Sequence, residues 1–185
     1  STPVGLSRRF PFPPHGVAIP NLVESPDRTM CLTVSQRLVR MPLACELELC
    51  YVLHAPPFFQ KDGIINTFIG LAPGSDNDMW FTGGWADNKV GSITIDGKFR
   101  TPFELSPWPE NPVTKSTLPM AITQASDGNL YFVHYDSKEI GRMSHDGLVR
   151  TEFSLGIPHQ PVEPVEGPDG QLRPSEPGAL PFVTV

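Results

Sequence analysis

The stretch GLAPGSDNDMWFTGGWADNKVGSITIDGKFRTPFEL, residues 70–105, decides the fold because its motifs return in SDGNLYFVHYDSKEIGRMSHDGLVRTEFSL, residues 126–155. A turn with an aromatic run, a Val-Gly or Ile-Gly pair, an Asp-Gly pair and a Phe-x-Leu ending recur in one order. Their spacing is 50 or 51 residues throughout. Self-similarity at such a period is typical of stacked repeat units.

Each repeat predicts four short strands. The Asp-Gly and Asp-Asn pairs are turn signals, because Gly and Asn accept positive φ. We predict strands at 69–73, 78–83, 89–95, 99–105, 119–124, 129–134, 139–144 and 148–155. The 22 prolines and the absence of a 3.6-residue apolar period predict little helix. Four antiparallel strands with apolar residues on both faces form the blade of a β-propeller. The predicted class is therefore all-β.

Fainter copies extend the repeat in both directions. Residues 167–172 resemble 125–130, and 25–32 supply a turn and strand upstream. We predict one domain over 1–185, with a degenerate blade 1 at 10–57, blade 2 at 58–113, blade 3 at 114–157, and a partial blade 4 with an irregular tail at 158–185. Insertions are expected at 44–64 and 107–116.

Three blades and part of a fourth are too few for comfortable ring closure, since propellers close with roughly 4–8 blades. Three alternatives follow. The chain forms a homo-oligomer, it belongs to a longer polypeptide, or the strand-like stretch 43–53 covers an exposed edge.

Composition excludes several classes of partner. With 14 Lys+Arg against 20 Asp+Glu, the chain lacks the basic surface that nucleic acid requires. No apolar run reaches 18 residues, so no membrane span is predicted. Cys31, Cys45 and Cys50 form no Cys-x-x-Cys pair, which excludes the usual zinc spacings. They are interpreted as buried thiols, with one disulfide as the alternative.

The repeat resembles that of the streptogramin lyase (virginiamycin B lyase) family, which is related to gluconolactonase-like propellers. The resemblance rests on Trp-Phe-Thr at 80–82, Asn-Lys-Val-Gly at 88–91, Asp-Gly at 96–97 and their second copies, with Pro-His pairs at 14–15 and 158–159. It implies a lyase that opens the ester linkage of a cyclic depsipeptide by elimination. It also implies a magnesium-binding Glu after Trp-Phe-Thr and a catalytic His from a Pro-His pair. Gly83 and His134 stand where the family has that Glu, so we expect no metal, with magnesium as the alternative. We also expect no redox cofactor, because a dinucleotide-binding motif is absent from the sequence.

Candidate site residues follow from the family register and from residue chemistry. We predict acid/base catalysis by His134, His15 and His159, with Asp136 orienting a ring. Trp85, Tyr135 and Gly83 are the predicted substrate contacts. The alternative for each histidine is an exposed loop residue. The aromatics at 80, 131 and 132 are interpreted as core, and 76–78 as a turn and not a calcium loop.

Two functions remain open at this stage. The first is a lyase- or cyclase-type enzyme that acts on a small natural-product-like substrate in the propeller channel. The second is a non-catalytic module that binds a ligand or partner. Signatures of phosphate transfer, zinc proteolysis, serine hydrolysis and dinucleotide chemistry are absent from the sequence.

Overall fold

The computed structural model describes residues 22–34, 37–42, 51–54, 60–61, 64–65, 68–83, 88–107, 116–148 and 150–175. Within these ranges the chain forms sixteen β-strands and no helix, which confirms the all-β prediction. Consequently no helix in this part of the chain is long and apolar enough to cross a membrane.

The first sheet contains four antiparallel strands in sequence order, β1 (Leu22–Glu24), β2 (Thr29–Val34), β3 (Arg37–Pro42) and β4 (Tyr51–His54). A short hairpin follows, made of β5 (Gln60–Lys61) and β6 (Ile64–Ile65). The prediction of an insertion at 44–64 was therefore wrong in part. Its residues 51–54 supply the outer strand of the first blade, because the free edge of β3 needs a hydrogen-bonding partner.

The second and third sheets are the two clear copies of the repeat. The second contains β7 (Phe68–Pro73), β8 (Met79–Gly83), β9 (Lys89–Ile93) and β10 (Phe103–Glu104), and the third contains β11 (Pro119–Gln124), β12 (Leu130–His134), β13 (Glu139–Met143) and β14 (Arg150–Ser154). Seven of the eight predicted strands are confirmed within a few residues at each end. The exception is 99–105, where only β10 and a single bridge between Ile93 and Phe99 pair with β9.

A fourth sheet has two described strands, β15 (Glu163–Glu166) and β16 (Leu172–Ser175). The tail was expected to be irregular from Arg173 onward. The structure extends β16 through Arg173, which pairs with Val165. Arg173 also forms an ion pair with Asp169 in the preceding turn, and this contact fixes the start of the strand.

The sheets pack face to face in the order of the chain. The first strands β1, β7, β11 and β15 lie side by side, and the apolar clusters lie between consecutive sheets. Neighbouring residues of β8 serve opposite interfaces, because side chains of a strand alternate in direction. Phe81 packs with Cys31 of the first sheet. Trp80 packs with Phe132 of the third. This is the arrangement of propeller blades.

The backbones of β7 and β11 approach each other closely at Gly70. A Cβ atom on Gly70 would lie 2.4 Å from the carbonyl oxygen of Met120, so no larger residue fits without a backbone shift. The hydroxyl of Thr82 accepts a hydrogen bond of 2.8 Å from the Gly70 N–H and donates to the same Met120 carbonyl. Thr82 of the Trp-Phe-Thr motif thus links blade 2 to blade 3.

Candidate functional site

Several predicted site residues lie at one edge of the blades. Gly83 ends β8 and pairs with Phe68 and Lys89, whereas His134 ends β12 and pairs with Pro119 and Glu139. These partners are the first residues of their own strands. The hairpin turns that follow β7, β9, β11 and β13 lie at the opposite edge. The structure therefore places Gly83 and His134 at equivalent positions of adjacent blades, as the repeat predicts.

His159 is brought to the same edge. It lies in the link between β14 and β15, and β14 ends at Ser154, opposite Glu139. The ammonium group of Lys138 donates a 2.7 Å hydrogen bond to the Pro158 carbonyl and holds this link beside the β12–β13 turn. The side chain of His159 is exposed to solvent. The other two predicted residues in loops, His15 and Trp85, lie outside the described residues.

The His134 side chain is completely buried. Its relative exposure is 0%. Burial alone lowers the pKa of His134 to about 4, because an apolar environment disfavours the charged imidazolium. The ring is consequently neutral at pH 7. It makes an edge-on contact with Phe132, with 5.2 Å between ring centroids.

The hydroxyl of Thr117 contacts Nδ1 of His134. Thr117 belongs to the link that enters blade 3, and it is itself 3% exposed. Its hydroxyl also donates to Oδ1 of Asn88, at 2.7 Å, and its backbone N–H donates to the same oxygen, at 3.0 Å. The Asn88 amide nitrogen then donates to the carbonyl oxygens of Leu105 and Ser106, at 3.2 and 2.9 Å. A hydrogen-bonded chain therefore runs from blade 2 to His134 in blade 3.

The other ring nitrogen, Nε2, has no hydrogen-bond partner in the part of the chain that the structure describes. It lies over Gly141 of the neighbouring strand. A Cβ atom at Gly141 would be 2.9 Å from Nε2 and 2.3 Å from the Phe132 ring. Because Gly141 has no side chain, the rings of Phe132 and His134 can both lie across β13. A buried nitrogen without a hydrogen-bond partner lowers the stability of the fold, and such atoms are often found where a residue has a functional role.

Tyr135 and Asp136 follow His134 and are half-buried. Their backbone N–H groups donate to the carbonyl oxygens of Leu118 and Thr117, at 3.0 and 3.1 Å. Asp136 was predicted to orient the histidine, but the group bonded to Nδ1 is the Thr117 hydroxyl. Asp136 instead helps to fix the backbone that carries Thr117.

Magnesium does not fit the two positions at which the lyase resemblance implies its ligand. Gly83 has no side chain, and Nδ1 of His134 is occupied by Thr117. Magnesium prefers carboxylate and other oxygen ligands. The described ranges also contain no group of three His, Cys, Asp or Glu side chains placed to hold a metal ion.

The residues predicted to be structural are confirmed as such. Trp80 is 1% exposed and stacks on Phe103, with 6.0 Å between centroids. The turn at 76–78 uses its carboxylates internally. Asp76 accepts a 3.2 Å hydrogen bond from the Trp80 indole, and Asp78 forms an ion pair with Arg100.

A cavity of about 320 Å³ lies between blades 2 and 3. No predicted site residue lines it. Its lining residues come from β10 and the two residues after it, from β13 and β14, and from Phe132 of β12: Glu104, Leu105, Ser106, Phe132, Arg142, Arg150, Thr151 and Glu152.

Sequence reasoning missed Asn88 and Thr117. Asn88 had a usable signal, since it opens the Asn-Lys-Val-Gly motif that resembles the family repeat, although Lys138 stands at this position in the second copy. Thr117 had none, because it lies in a link that is not part of the repeat.

Solved structures of lyase propellers match this fold. Virginiamycin B lyase from Staphylococcus aureus matches with a TM-score of 0.66 and 26% identity, over 84% of this chain and 47% of that one. A catalytically inactive histidine-to-alanine variant of virginiamycin B lyase from S. aureus, with quinupristin, matches with a TM-score of 0.74 and 24% identity, over 99% of this chain and 60% of that one. A streptogramin B lyase structure matches with a TM-score of 0.65 and 20% identity, over 84% and 47%.

No protein-family model matches the sequence, and no curated protein matches it. The chain spans 47–60% of the length of the lyase structures above. Within that span, the fold agrees with those structures. The chain has a streptogramin lyase-like β-propeller fold.

Proposed function

We propose that this chain contributes blades to a propeller enzyme of the lyase or cyclase type. The enzyme acts without a redox cofactor on a small natural-product-like substrate. The observation that carries the proposal is the neutral His134 imidazole at the end of β12, whose Nε2 has no partner among the described residues. In the resembling lyases this position holds the metal-binding Glu, so a chemically active side chain is expected there.

A lyase step suits a neutral histidine. Elimination requires a base to take a proton from carbon while a C–C double bond forms and the C–O bond to the leaving carboxylate breaks. The Nε2 lone pair of a neutral imidazole can take that proton and return it to solvent or product. No redox partner is needed.

The structural relatives support histidine chemistry in this fold. One of them is described as catalytically inactive after a histidine-to-alanine substitution, with quinupristin present. Quinupristin is accordingly the first substrate to test here. A closed channel requires more blades than the described residues provide. We propose that a second copy or further chain supplies them, and a native mass measurement of the assembly tests this.

The test is incubation of the protein with quinupristin, with and without added magnesium, followed by liquid chromatography coupled to mass spectrometry, in which the ring-opened isomer has a new retention time. Elimination opens the ring with no change in mass, whereas ester hydrolysis adds one water. His134→Ala should lower the rate by about 10²-fold or more, the usual effect of losing an acid/base group. His159→Ala, at the same edge, shows in parallel whether the exposed histidine also contributes to the rate. Turnover that is equal in His134→Ala and the original protein would contradict the assignment.

A second candidate is a non-catalytic module that binds a ligand or partner. The complete burial of His134 favours it, because a ring with 0% exposure does not meet substrate in this conformation. The low pKa points the same way, since a general base works best with a pKa near the operating pH. Binding of quinupristin by calorimetry without any change in its chromatographic form would support this candidate over the enzyme.

A further inference from the structure

The orientation of the Asn88 amide is fixed by its neighbours. Its Oδ1 accepts from a backbone N–H, that of Thr117 at 3.0 Å, so this atom is the oxygen. Its other terminal atom faces two carbonyl oxygens, those of Leu105 and Ser106, and is therefore the NH₂ donor. The hydrogen bonds at the two ends of the Asn88 amide therefore agree on its orientation.

The proton of the Thr117 hydroxyl is fixed next. A hydroxyl has one proton to donate, and the Asn88 oxygen 2.7 Å away can only accept. The hydroxyl must donate there. Toward His134 it offers only a lone pair, so Nδ1 of the neutral ring must carry the hydrogen. The remaining nitrogen, Nε2, then has no proton and presents a lone pair.

We propose that Asn88 and Thr117 are positioning residues that hold His134 as the Nδ1–H tautomer and leave Nε2 with an unprotonated lone pair. The catalytic use of Nε2 rests on the proposed function, whereas the tautomer does not. Free histidine favours the opposite tautomer, with the proton on Nε2. The protein must therefore supply an acceptor at Nδ1, and the relay from blade 2 does so.

The relay also makes the tautomer depend on blade packing. Asn88 precedes β9 in blade 2, and Thr117 enters blade 3. The Gly141 contact positions Nε2 from the opposite side. The three groups belong to three separate segments of the chain, so the tautomer reports on whether the two blades are correctly docked.

The test is the ¹⁵N spectrum of the imidazole nitrogens in the full, labelled chain at pH 7. We expect His134 to show a protonated Nδ1 and an unprotonated Nε2. Thr117→Val removes the acceptor and should transfer half or more of the population to Nε2–H. Thr117→Ser, the matched control, keeps the hydroxyl and should preserve the original tautomer.

A proton on Nε2 in the original protein would overturn the proposal. An unchanged tautomer in folded Thr117→Val would overturn the role of Thr117. If thermal denaturation shows that Thr117→Val does not fold, the proposal is tested by the other two spectra. The original protein and Thr117→Ser must then both show a protonated Nδ1 and an unprotonated Nε2. In the quinupristin assay, Thr117→Val should lower kcat more than it changes KM. No turnover by the original protein together with the expected tautomer would refute the enzyme but leave the relay intact.

Discussion

Acidification should destabilise this protein through His134, because the folded state holds the ring neutral. In the unfolded chain a histidine takes up its proton near pH 6.5, whereas in the folded state His134 does so near pH 4. Between these values the unfolded chain binds more protons, so the free energy of unfolding falls as the pH falls. The difference in pKa corresponds to a loss of about 3–4 kcal/mol, at roughly 1.4 kcal/mol for each pH unit. That loss is a large part of the 5–15 kcal/mol by which domains are usually stable.

The measurement is urea unfolding at a series of pH values from 7.5 to about 4, compared with His134→Asn. The asparagine amide can still donate to Thr117 but does not titrate, so carboxylates that titrate in both proteins cancel in the difference. The pH-dependent difference should grow below pH 6.5 and level off near pH 4. Parallel pH profiles for the two proteins over this range would show that His134 is not buried as a neutral ring.

Three further predictions concern the packing between blades. Gly70→Ala should lower stability by about 1–3 kcal/mol or more in thermal denaturation, since the added methyl group meets the Met120 backbone and backbone cannot rotate away; an unchanged Tm would refute the close approach. Phe81→Ala should cost about 3–5 kcal/mol in urea unfolding, because a ring with 0% exposure leaves a cavity between the first two blades. Burial raises the pKa of Cys31 to about 11, so its peptide should stay unlabelled by iodoacetamide at pH 8 until the protein unfolds; rapid labelling of the folded protein, read by mass spectrometry, would contradict this.

The strands of the two clear repeats were predictable because three independent signals agreed there. Turn chemistry marked their ends, and Asn77 indeed has a positive φ of 64°. Alternating apolar residues marked the strands, and the second copy fixed the register. The first blade was harder, because β4 (Tyr51–His54) has no counterpart with the same motif. It was interpreted as an insertion, although only the pairing with β3 reveals it as the fourth strand.

The edge that carries the candidate site was predictable, but its contacts were not. Register alone places Gly83 and His134 at equivalent strand ends. The partner of His134 comes from the link before β11, and no local pattern connects Thr117 to a residue 17 positions further on. Proximity in sequence suggested Asp136 instead. A hydrogen bond between a link and a strand end depends on how two blades dock, which one repeat does not encode.

The clearest evidence on function is where the two repeats differ. At equivalent positions blade 2 has Thr82 and Gly83, and blade 3 has Val133 and His134. The Thr82 hydroxyl links β7 to the next blade, whereas Val133 packs into an apolar cluster. These residues stabilise blades by two different means. The second pair differs in another way. Gly83 has no side chain, whereas His134 adds a buried ring with an unpaired nitrogen. Such a group lowers the stability of the fold, since its lone pair loses water without gaining a hydrogen-bond partner.

Replacing His134 with an apolar residue of similar size, as in His134→Leu, should therefore leave stability near the original value or raise it, while turnover or ligand binding is lost. A large loss of stability in this variant, with function retained, would instead assign His134 to the fold alone.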